Sequence, residues 1–303
     1  MNRRVVITGT GVVSPLGNNI EEFWSKIKTG TSGIGPITHI DPEEYPSKIA
    51  GEVRDFNPSD FVDKKDARKM ALFSQYAIAG AVQAMQQAGL NTEKIDSEKA
   101  GVILGNGIGG FEIIEEGHRT LFDKGPRRVP PMTIPKIISN EAPGHIAIKY
   151  GFHGPCYTVT TACASGTDAI GQAFRAIQHG QSDVMITGGT EGCITGLGVS
   201  GFCALKALST EYNDTPELAS RPFDKNRDGF VIAEGAGILV LEELEHAQRR
   251  GAPILAEVAG YGMTCDAYHL TAPDPEGNGA ARAMKIALED AGMRPEDIDY
   301  INA

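Results

Sequence analysis

The stretch AMQQAGLNTEKID at residues 84–96 recurs near the end of the chain as ALEDAGMRPEDID at residues 287–299. Six of the thirteen aligned positions are identical: two alanines, a glycine, a glutamate, an isoleucine and an aspartate. Each copy ends a helical pattern at Ala-Gly, turns, and leads towards a strand. Each copy also follows, at some distance, an apolar stretch with closely spaced glycines, RVVITGTGVV or PILAEVAGYG. We interpret the two regions as two copies of one supersecondary plan.

Strand and helix patterns alternate along the whole chain, which indicates an α/β fold with buried strands covered by helices. Strands are predicted at residues 5–8, 100–104, 157–161, 183–188, 254–261 and 299–301, and helices at residues 67–87, 138–149, 165–179 and 279–291. Residues 231–244 begin as a strand and turn into a short helix. The repeat divides the chain into a first half, 1–251, and the start of a second half, 252–303. The first copy runs on far beyond Asp96, whereas the chain ends soon after Asp299, so we expect the second half to be truncated. The alternative is that residues 300–303 are an edge or a frayed end.

The 303-residue chain has the composition of a globular protein, since 41% of its residues are hydrophobic and 22% are charged. Its formal net charge of −11 argues against bulk binding to nucleic acid or to an anionic membrane surface. No apolar run reaches the roughly 18 residues that a transmembrane helix needs, so no membrane insertion is expected. The five cysteines have spacings that fit neither a zinc site nor a small disulfide scaffold. We therefore expect free thiols in a cytoplasmic protein.

Two motifs that could hold a ligand depart from their full patterns. The run DKNRDG at residues 224–229 copies the first six positions of a calcium loop, but the twelfth position is Gly235 rather than a glutamate. The glycines of GNGIGG at residues 105–110 have the spacing of a dinucleotide fingerprint, but no strand ending in an acidic residue follows about twenty residues later. We expect a polar turn at the first place and either close backbone packing or an apolar pocket wall at the second, and neither a metal nor a bound cofactor.

A single cysteine, Cys163, lies in VTTACASGTDAIG at residues 159–171, between a strand pattern and a helix pattern. A free cysteine is commonly a buried apolar filler. Here a sharp strand-to-helix turn can present the side chain, and the small residues on either side leave room for a substrate. We expect the helix to begin at about Ala164, so that its N-terminal N–H groups can stabilise a thiolate and hold an oxyanion. We favour a nucleophile that forms thioesters with acyl groups.

Four stretches resemble the β-ketoacyl-acyl carrier protein synthase II family, the condensing enzymes of bacterial fatty-acid elongation. They are residues 159–171, GGTEGCITGLGVSGFCALKALS, RPFDKNRDGFVIAEGAGILVLEELEHAQRRGA and DAYHLTAP, and the resemblance covers the whole chain. It implies the thiolase fold, an α/β fold of two duplicated βαβαβ-type halves with helices flanking the sheets, usually as a homodimer. It also implies that Cys163 takes an acyl chain from the phosphopantetheine arm of acyl carrier protein. Malonyl-carrier protein then extends that chain by two carbons in a decarboxylative condensation.

The resemblance also implies roles for residues outside the cysteine turn. Residues that match the family's acyl pocket are Gly107, Ile108, Ala162, Gly198 and Phe202, with Thr133 and Ile134 in a segment that crosses the dimer interface. Many relatives carry Phe at the Thr133 position, so the resemblance leaves the preferred acyl length open. The region that docks the acidic carrier protein contains Lys64, Lys65, Arg68, Lys69, Arg127, Arg128 and Lys206. Charge complementarity would speed that encounter. The alternative for the pocket residues is plain core packing, and the alternative for the cations is a solvated charged face.

One part of the family's site has no counterpart in the sequence. In the family, two histidines promote the decarboxylation, and the first lies in a motif N-A-H-G-T. The chain ends with Ile301, Asn302 and Ala303, one residue before that histidine, and none of its seven histidines matches either motif position. We therefore expect the chain to hold the acylating part of the site and to be inactive in condensation by itself.

Other functions remain open on the sequence. The chain could be a catalytically silent partner that binds carrier protein or a full-length subunit, as the family's chain-length factors do. Those factors replace the nucleophilic cysteine, which is retained here. Within the enzyme class, the alternatives are a thiolase or a synthase III, but neither carries the run RPFDKNRDGFVIAEGAG.

Overall fold

The computed structural model of the protein describes residues 3–302. The strands are Val5–Val13 (β1), Gly35–Pro36 (β2), Ile49–Ala50 (β3), Ala100–Gly105 (β4), Cys156–Val159 (β5), Val184–Glu191 (β6), Gly235–Glu243 (β7) and Ala256–Val258 (β8). The α-helices are Ile20–Lys28 (α1), Lys64–Ala67 (α2), Leu72–Ala88 (α3), Phe111–Lys124 (α4), Thr133–Ile137 (α5), Glu141–Tyr150 (α6), Ser165–Gln178 (α7), Gly196–Ala204 (α8), Leu244–Arg249 (α9) and Asn278–Ala291 (α10). No helix in this part of the chain is long and apolar enough to cross a membrane.

Six strands form one mixed sheet in the order β5-β4-β6-β7-β1-β8, and β2 pairs with β3 in a separate ribbon. β4 is parallel to both β5 and β6, whereas β7 is antiparallel to β6 and to β1. Parallel strands of one sheet need a crossover connection, and α7 connects β5 to β6, which lie on either side of β4. This crossover places the start of α7 at the carboxyl ends of the parallel strands, where ligands bind in open α/β sheets.

The sheet is covered on both faces. All six residues of β4 are buried, and its side chains alternate between the two faces as a strand requires. Val102 and Leu104 pack in the core beneath α3 and α6, whereas Ile103 packs with Phe174 and Ile177 of α7. The predicted alternation of buried strands with covering helices is therefore confirmed.

The two copies of the repeat have the same local structure. Helix α3 ends at Ala88, and Gly89 follows with φ +59°. Helix α10 ends at Ala291, and Gly292 follows with φ +66°. A short 3-10 turn comes next in each copy. A left-handed residue closes each helix, and glycine adopts this conformation without steric cost.

The strand predicted at residues 5–8 extends to Val13, and the helix predicted at residues 138–149 begins at Glu141. Three other predicted elements differ more from the structure. The predicted helix at residues 67–87 is interrupted, because the N–H of Leu72 donates to the Glu112 carboxylate at 2.8 Å and a new helix, α3, begins there. The predicted strand at residues 254–261 shortens to β8. The predicted strand at residues 299–301 is wrong, since these residues are exposed and form no ladder with any described strand.

Candidate active site at the cysteine elbow

Residues 160–165, called the elbow here, make a sharp turn between β5 and α7 and carry Cys163. The N–H of Ser165 donates to the Ala162 carbonyl oxygen at 3.1 Å and closes the turn. The Ser165 hydroxyl donates to the same carbonyl at 2.6 Å and accepts from the Thr161 N–H at 2.8 Å. The Cys163 side chain is exposed, so this cysteine is not a buried filler.

Ala162, directly before the cysteine, adopts φ +51°. This is the left-handed region, which costs a residue with a β-carbon about 1 kcal/mol. One left-handed residue allows the chain to reverse within the elbow. Strained residues of this kind cluster at functional sites, where the surrounding structure holds them in place.

Glycines beneath the elbow allow the sheet to approach it closely. A β-carbon on Gly105, the last residue of β4, would lie 2.1 Å from the carbonyl carbon of Ser165. A β-carbon on Gly166 would lie 3.4 Å from the Cα of Gly189 on β6. A larger residue at position 105 would push the elbow away from the sheet. The predicted close packing at GNGIGG is therefore confirmed.

The N-terminus of α7 supplies partial positive charge beside the Cys163 sulfur. The N–H groups of Ala164 and Ser165 are used within the elbow, whereas the Cys163 N–H donates to no described residue. A free N–H at a helix N-terminus can hold the oxyanion that forms when a nearby sulfur attacks a carbonyl group. The elbow therefore combines an exposed thiol with a backbone N–H that has no acceptor among residues 3–302.

Glu191, the last residue of β6, fixes Gly107 beside the elbow. Its Oε2 accepts the Gly107 N–H at 3.0 Å, and its Oε1 accepts the Asn106 side-chain amide at 3.2 Å. Burial raises the pKa of the Glu191 carboxyl, and hydrogen bonds from the Gly107 and neighbouring N–H groups oppose that rise. A β-carbon on Gly107 would lie 3.7 Å from the Ala162 carbonyl oxygen. Two predicted pocket residues, Gly107 and Ala162, thus lie together next to Cys163.

Three other predicted pocket residues surround Cys193. Ile108 and Phe202 pack in the hydrophobic cluster that contains the buried Cys193. A β-carbon on Gly198, in α8, would lie 2.2 Å from the Cys193 carbonyl oxygen. Burial and the nearby Glu191 carboxylate raise the pKa of the Cys193 thiol to about 12. Cys193 is therefore a packing residue, in contrast to the exposed Cys163.

Thr133 and Ile134 begin α5, which packs beside α4. The Ile134 side chain is 63% exposed, and Phe122 on α4 is 73% exposed. The C-terminal end of α5 abuts the glycine loop, since a β-carbon on Gly109 would lie 2.4 Å from the Ile137 carbonyl oxygen. Ile134 therefore lies at an exposed apolar surface next to the loop that leads to the elbow, whereas the half-buried Thr133 packs beside Gly117 of α4.

All seven predicted docking cations are exposed. Lys69 pairs with Asp66 at 2.7 Å, and none of the other six forms a salt bridge within residues 3–302. Lys64 and Lys69 line a cleft of about 640 Å³ that also contains Lys149 and His145. Arg127 and Arg128 lie in a turn after α4, and Lys206 lies in a turn after α8.

The loop at residues 224–229 is a polar turn, as predicted. The Asp224 carboxylate accepts the Asn226 N–H at 2.7 Å and pairs with Arg221 at 2.8 Å. Asp228 accepts the Thr210 N–H at 2.7 Å. Among residues 3–302, no group of three or more His, Cys, Asp or Glu side chains could hold a metal ion.

Sequence reasoning missed two sets of polar residues beside the elbow. Glu191 contacts Gly107 across 84 positions of sequence, and Asp168 contacts Tyr261 across 93. Asp168 can be recognised in the sequence as an acidic residue in the first turn of α7, but no local pattern identifies Tyr261 as its partner.

Comparison with known proteins shows one consistent relationship. The family described as Beta-ketoacyl synthase, N-terminal domain, matches residues 2–247, and the one described as Beta-ketoacyl synthase, C-terminal domain, matches residues 255–303. A 3-oxoacyl-[acyl-carrier-protein] synthase 2 from Staphylococcus aureus (strain COL) is 52% identical over 302 residues, which cover 100% of this chain and 72% of that protein.

Solved structures agree with this relationship. A beta-ketoacyl synthase from Burkholderia phymatum STM815 matches with a TM-score of 0.90 and 36% identity, over 99% of this chain and 73% of that one. A chain from the complex of a type II PKS acyl-carrier protein with its ketosynthase matches with a TM-score of 0.88 and 35% identity, over 99% of this chain and 72% of that one. The predicted thiolase-like α/β fold is thereby confirmed.

Proposed function

Because this chain belongs to the β-ketoacyl synthase family, we propose that it is a condensing enzyme of fatty-acid elongation in which Cys163 is the acyl acceptor. The Cys163 thiolate attacks the thioester carbonyl of an acyl group on the phosphopantetheine arm of acyl carrier protein. A bond forms between that carbonyl carbon and the Cys163 sulfur, and the bond to the arm's sulfur breaks. The arm's sulfur leaves as a thiolate and takes up the proton that Cys163 has lost.

The single observation that carries this proposal is the exposed Cys163 on a strained elbow at the N-terminus of α7. The free N–H of Cys163 holds the oxyanion of the tetrahedral intermediate. The small residues Gly107 and Ala162 leave the sulfur accessible to a carbonyl group.

In the second step, malonyl-carrier protein loses carbon dioxide and its carbanion attacks the Cys163 thioester. A carbon–carbon bond forms, and the Cys163 sulfur leaves as a thiolate. Two of the seven histidines contact buried carboxyl groups, His39 with Glu234 and His246 with Glu242, each at 2.8 Å, and none of the seven matches either motif position of the family's catalytic histidines. We therefore expect the 303-residue chain to be acylated but to release no carbon dioxide from malonyl-carrier protein.

Acyl carrier protein is the proposed partner, and the exposed cations around α2 are its proposed docking surface. Residues 63–69 carry four cations and two exposed carboxylates, Asp63 and Asp66, and this local excess of positive charge on a chain with a net charge of −11 favours an acidic partner. Lys64, Lys65 and Arg68 form no ion pair with any residue in the range 3–302, so docking breaks no ion pair there. Arg127, Arg128 and Lys206 are assigned to the same role on the family resemblance alone.

The proposed acyl pocket runs from Gly107 and Ala162 to the cluster of Ile108, Gly198 and Phe202. A homodimer through α4 and α5 would cover the exposed Ile134 and Phe122. The division at residues 251 and 252, the absence of a cofactor beyond the carrier's own arm, and a cytoplasmic location stay predictions.

Acyl transfer from acyl-carrier protein tests the function. Wild-type protein should release free carrier protein in an amount equal to the enzyme present, and Cys163→Ala should release none. Transfer by Cys163→Ala at the wild-type rate would contradict the proposal. Carbon dioxide release from malonyl-carrier protein by the 303-residue chain would show that the decarboxylating groups lie among its own residues.

A further inference from the structure

The carboxylate of Asp168 holds two hydroxyl groups beside the elbow. Its Oδ2 accepts a hydrogen bond from the Thr161 Oγ1, and its Oδ1 accepts one from the Tyr261 hydroxyl, each at 2.6 Å. Asp168 is only 8% exposed, and hydrogen bonds to a charged group are strong away from bulk water. Since Thr161 belongs to the elbow, Asp168 connects the elbow directly to Tyr261.

Tyr261 comes from the start of the second copy of the repeat. Its ring occupies the space over Gly171, where a β-carbon would lie 2.3 Å from two ring carbons. Only glycine at this position of α7 lets the ring come so close. Burial, together with the Asp168 carboxylate, raises the pKa of the Tyr261 phenol, so it remains a hydrogen-bond donor at neutral pH.

A second set of bonds fixes the backbone of Tyr261. Its N–H donates to the Asp290 Oδ2 at 2.9 Å, and Arg175 donates to the Asp290 Oδ1 at 2.8 Å. Arg175 lies on α7 and Asp290 on α10, so the Tyr261 backbone is held between two helices. This anchoring brings the Tyr261 hydroxyl to Asp168.

We propose that Asp168 and Tyr261 are positioning residues that hold Thr161, and with it the elbow, in the geometry from which Cys163 accepts an acyl group. The proposal rests on the function proposed above for Cys163. Loss of the Tyr261 hydroxyl leaves one oxygen of a buried carboxylate without a donor. The Asp168 side chain then keeps only one of the two hydroxyl groups that fix it, and its hold on Thr161 weakens. The reactivity of Cys163 therefore depends on residues 252–303, which supply Tyr261.

The test compares Tyr261→Phe, Asp168→Ala and Asp168→Asn in two assays: acyl transfer from acyl-carrier protein, and alkylation by iodoacetamide resolved for each cysteine by mass spectrometry. We expect Tyr261→Phe and Asp168→Ala to slow both reactions of Cys163 about tenfold, since small misplacements of a reacting group have effects of this size or larger. Asp168→Asn keeps an oxygen acceptor and should recover part of the lost rate. The double variant Asp168→Ala/Tyr261→Phe should be no slower than Asp168→Ala, because the two residues act through one hydrogen bond.

Two internal controls separate positioning from general loosening. The exposed thiols of Cys156 and Cys265 should alkylate at the wild-type rate in every variant. Tyr268→Phe, which alters a 60% exposed tyrosine of the same segment, should leave Cys163 unchanged.

Wild-type rates at Cys163 in Tyr261→Phe, which removes one oxygen atom and is expected to fold, would overturn the proposal. An equal slowing at Cys265, the exposed thiol of the same segment, would also overturn it. Failure of wild-type Cys163 to become acylated would instead overturn the proposed function, while the alkylation assay still tests the position of the elbow.

Discussion

Gly260 lies directly against the backbone of Ala287, because a β-carbon on this glycine would be 2.3 Å from the Ala287 carbonyl oxygen. Gly9 lies in the same way against Ala84, at 2.0 Å. Ala84 and Ala287 are equivalent positions of the repeated sequence. The two copies therefore share a close contact between a glycine and a helix further along the chain, as well as a sequence pattern.

The glycine contact predicts that Gly260→Ala destabilises the protein by about 1–3 kcal/mol, as overpacking of a close contact does. A carbonyl oxygen of the backbone cannot move aside as a flexible side chain can. The measurement is the free energy of unfolding in urea. Gly144→Ala is the matched control, since nothing lies within 4 Å of a β-carbon there and the site is helical, so it should be neutral or stabilising. Equal stability of Gly260→Ala and wild type would contradict the close contact.

Thiol reactivity should separate Cys163 from Cys193. Burial raises the pKa of Cys193 to about 12, so its thiolate is scarce at about pH 8, whereas Cys163 is exposed. Iodoacetamide should modify Cys163 and leave Cys193 intact in the folded protein, and it should modify both in denaturant. Modification of Cys193 in the folded protein as fast as Cys163 would show that its cluster is open.

Stability at low pH should depend on Glu242, which is fully buried. Burial opposes its ionisation, but hydrogen bonds from Arg250, His246 and Thr8 outweigh this and lower its pKa to about 2. A carboxyl group whose pKa is depressed on folding contributes stability above its unfolded value near 4.5, and that stability is lost as the pH falls towards 2. The loss amounts to about 3 kcal/mol for this group.

The variant Glu242→Gln should be less stable than wild type at neutral pH and should lose this part of the pH dependence. The measurement is the free energy of unfolding between about pH 7 and pH 2. Glu245→Gln, three residues away at a site whose side chain is 79% exposed, should keep the wild-type pH profile. An unchanged profile in Glu242→Gln would contradict the role of the buried carboxylate.

The docking surface predicts a selective effect on the carrier-bound substrate. Lys65→Glu should raise KM for acyl-carrier protein about tenfold and leave acylation by a small acyl-pantetheine thioester unchanged. Added salt should shrink the difference, because exposed charges are screened. Lys28→Glu, the same charge change on α1, is the control. An equal effect of Lys65→Glu on both substrates would show that Lys65 supports the folded structure and does not dock the carrier protein.

Features that depend on residues close together in the sequence were predictable, whereas features that depend on distant residues were not. The start of α7 was predicted at about Ala164 and is observed at Ser165, because small residues and helix propensity act locally. The break before α3 was missed, because it depends on Glu112, forty positions further along the chain. The contact of Asp168 with Tyr261 was also missed, because the two residues are 93 positions apart and no local pattern connects them. Local signals therefore located the turn that carries Cys163, whereas its contacts with distant residues appeared only in the folded chain.

The most direct test of the central claim is the location of the acyl group after incubation with acyl-carrier protein. Peptide mapping by mass spectrometry should place one acyl group per chain on Cys163, cleavable by hydroxylamine as a thioester is. Cys156, Cys193, Cys203 and Cys265 should remain free. An acyl group on any of these four, or one that persists in Cys163→Ala, would contradict the assignment of Cys163 as the acyl acceptor.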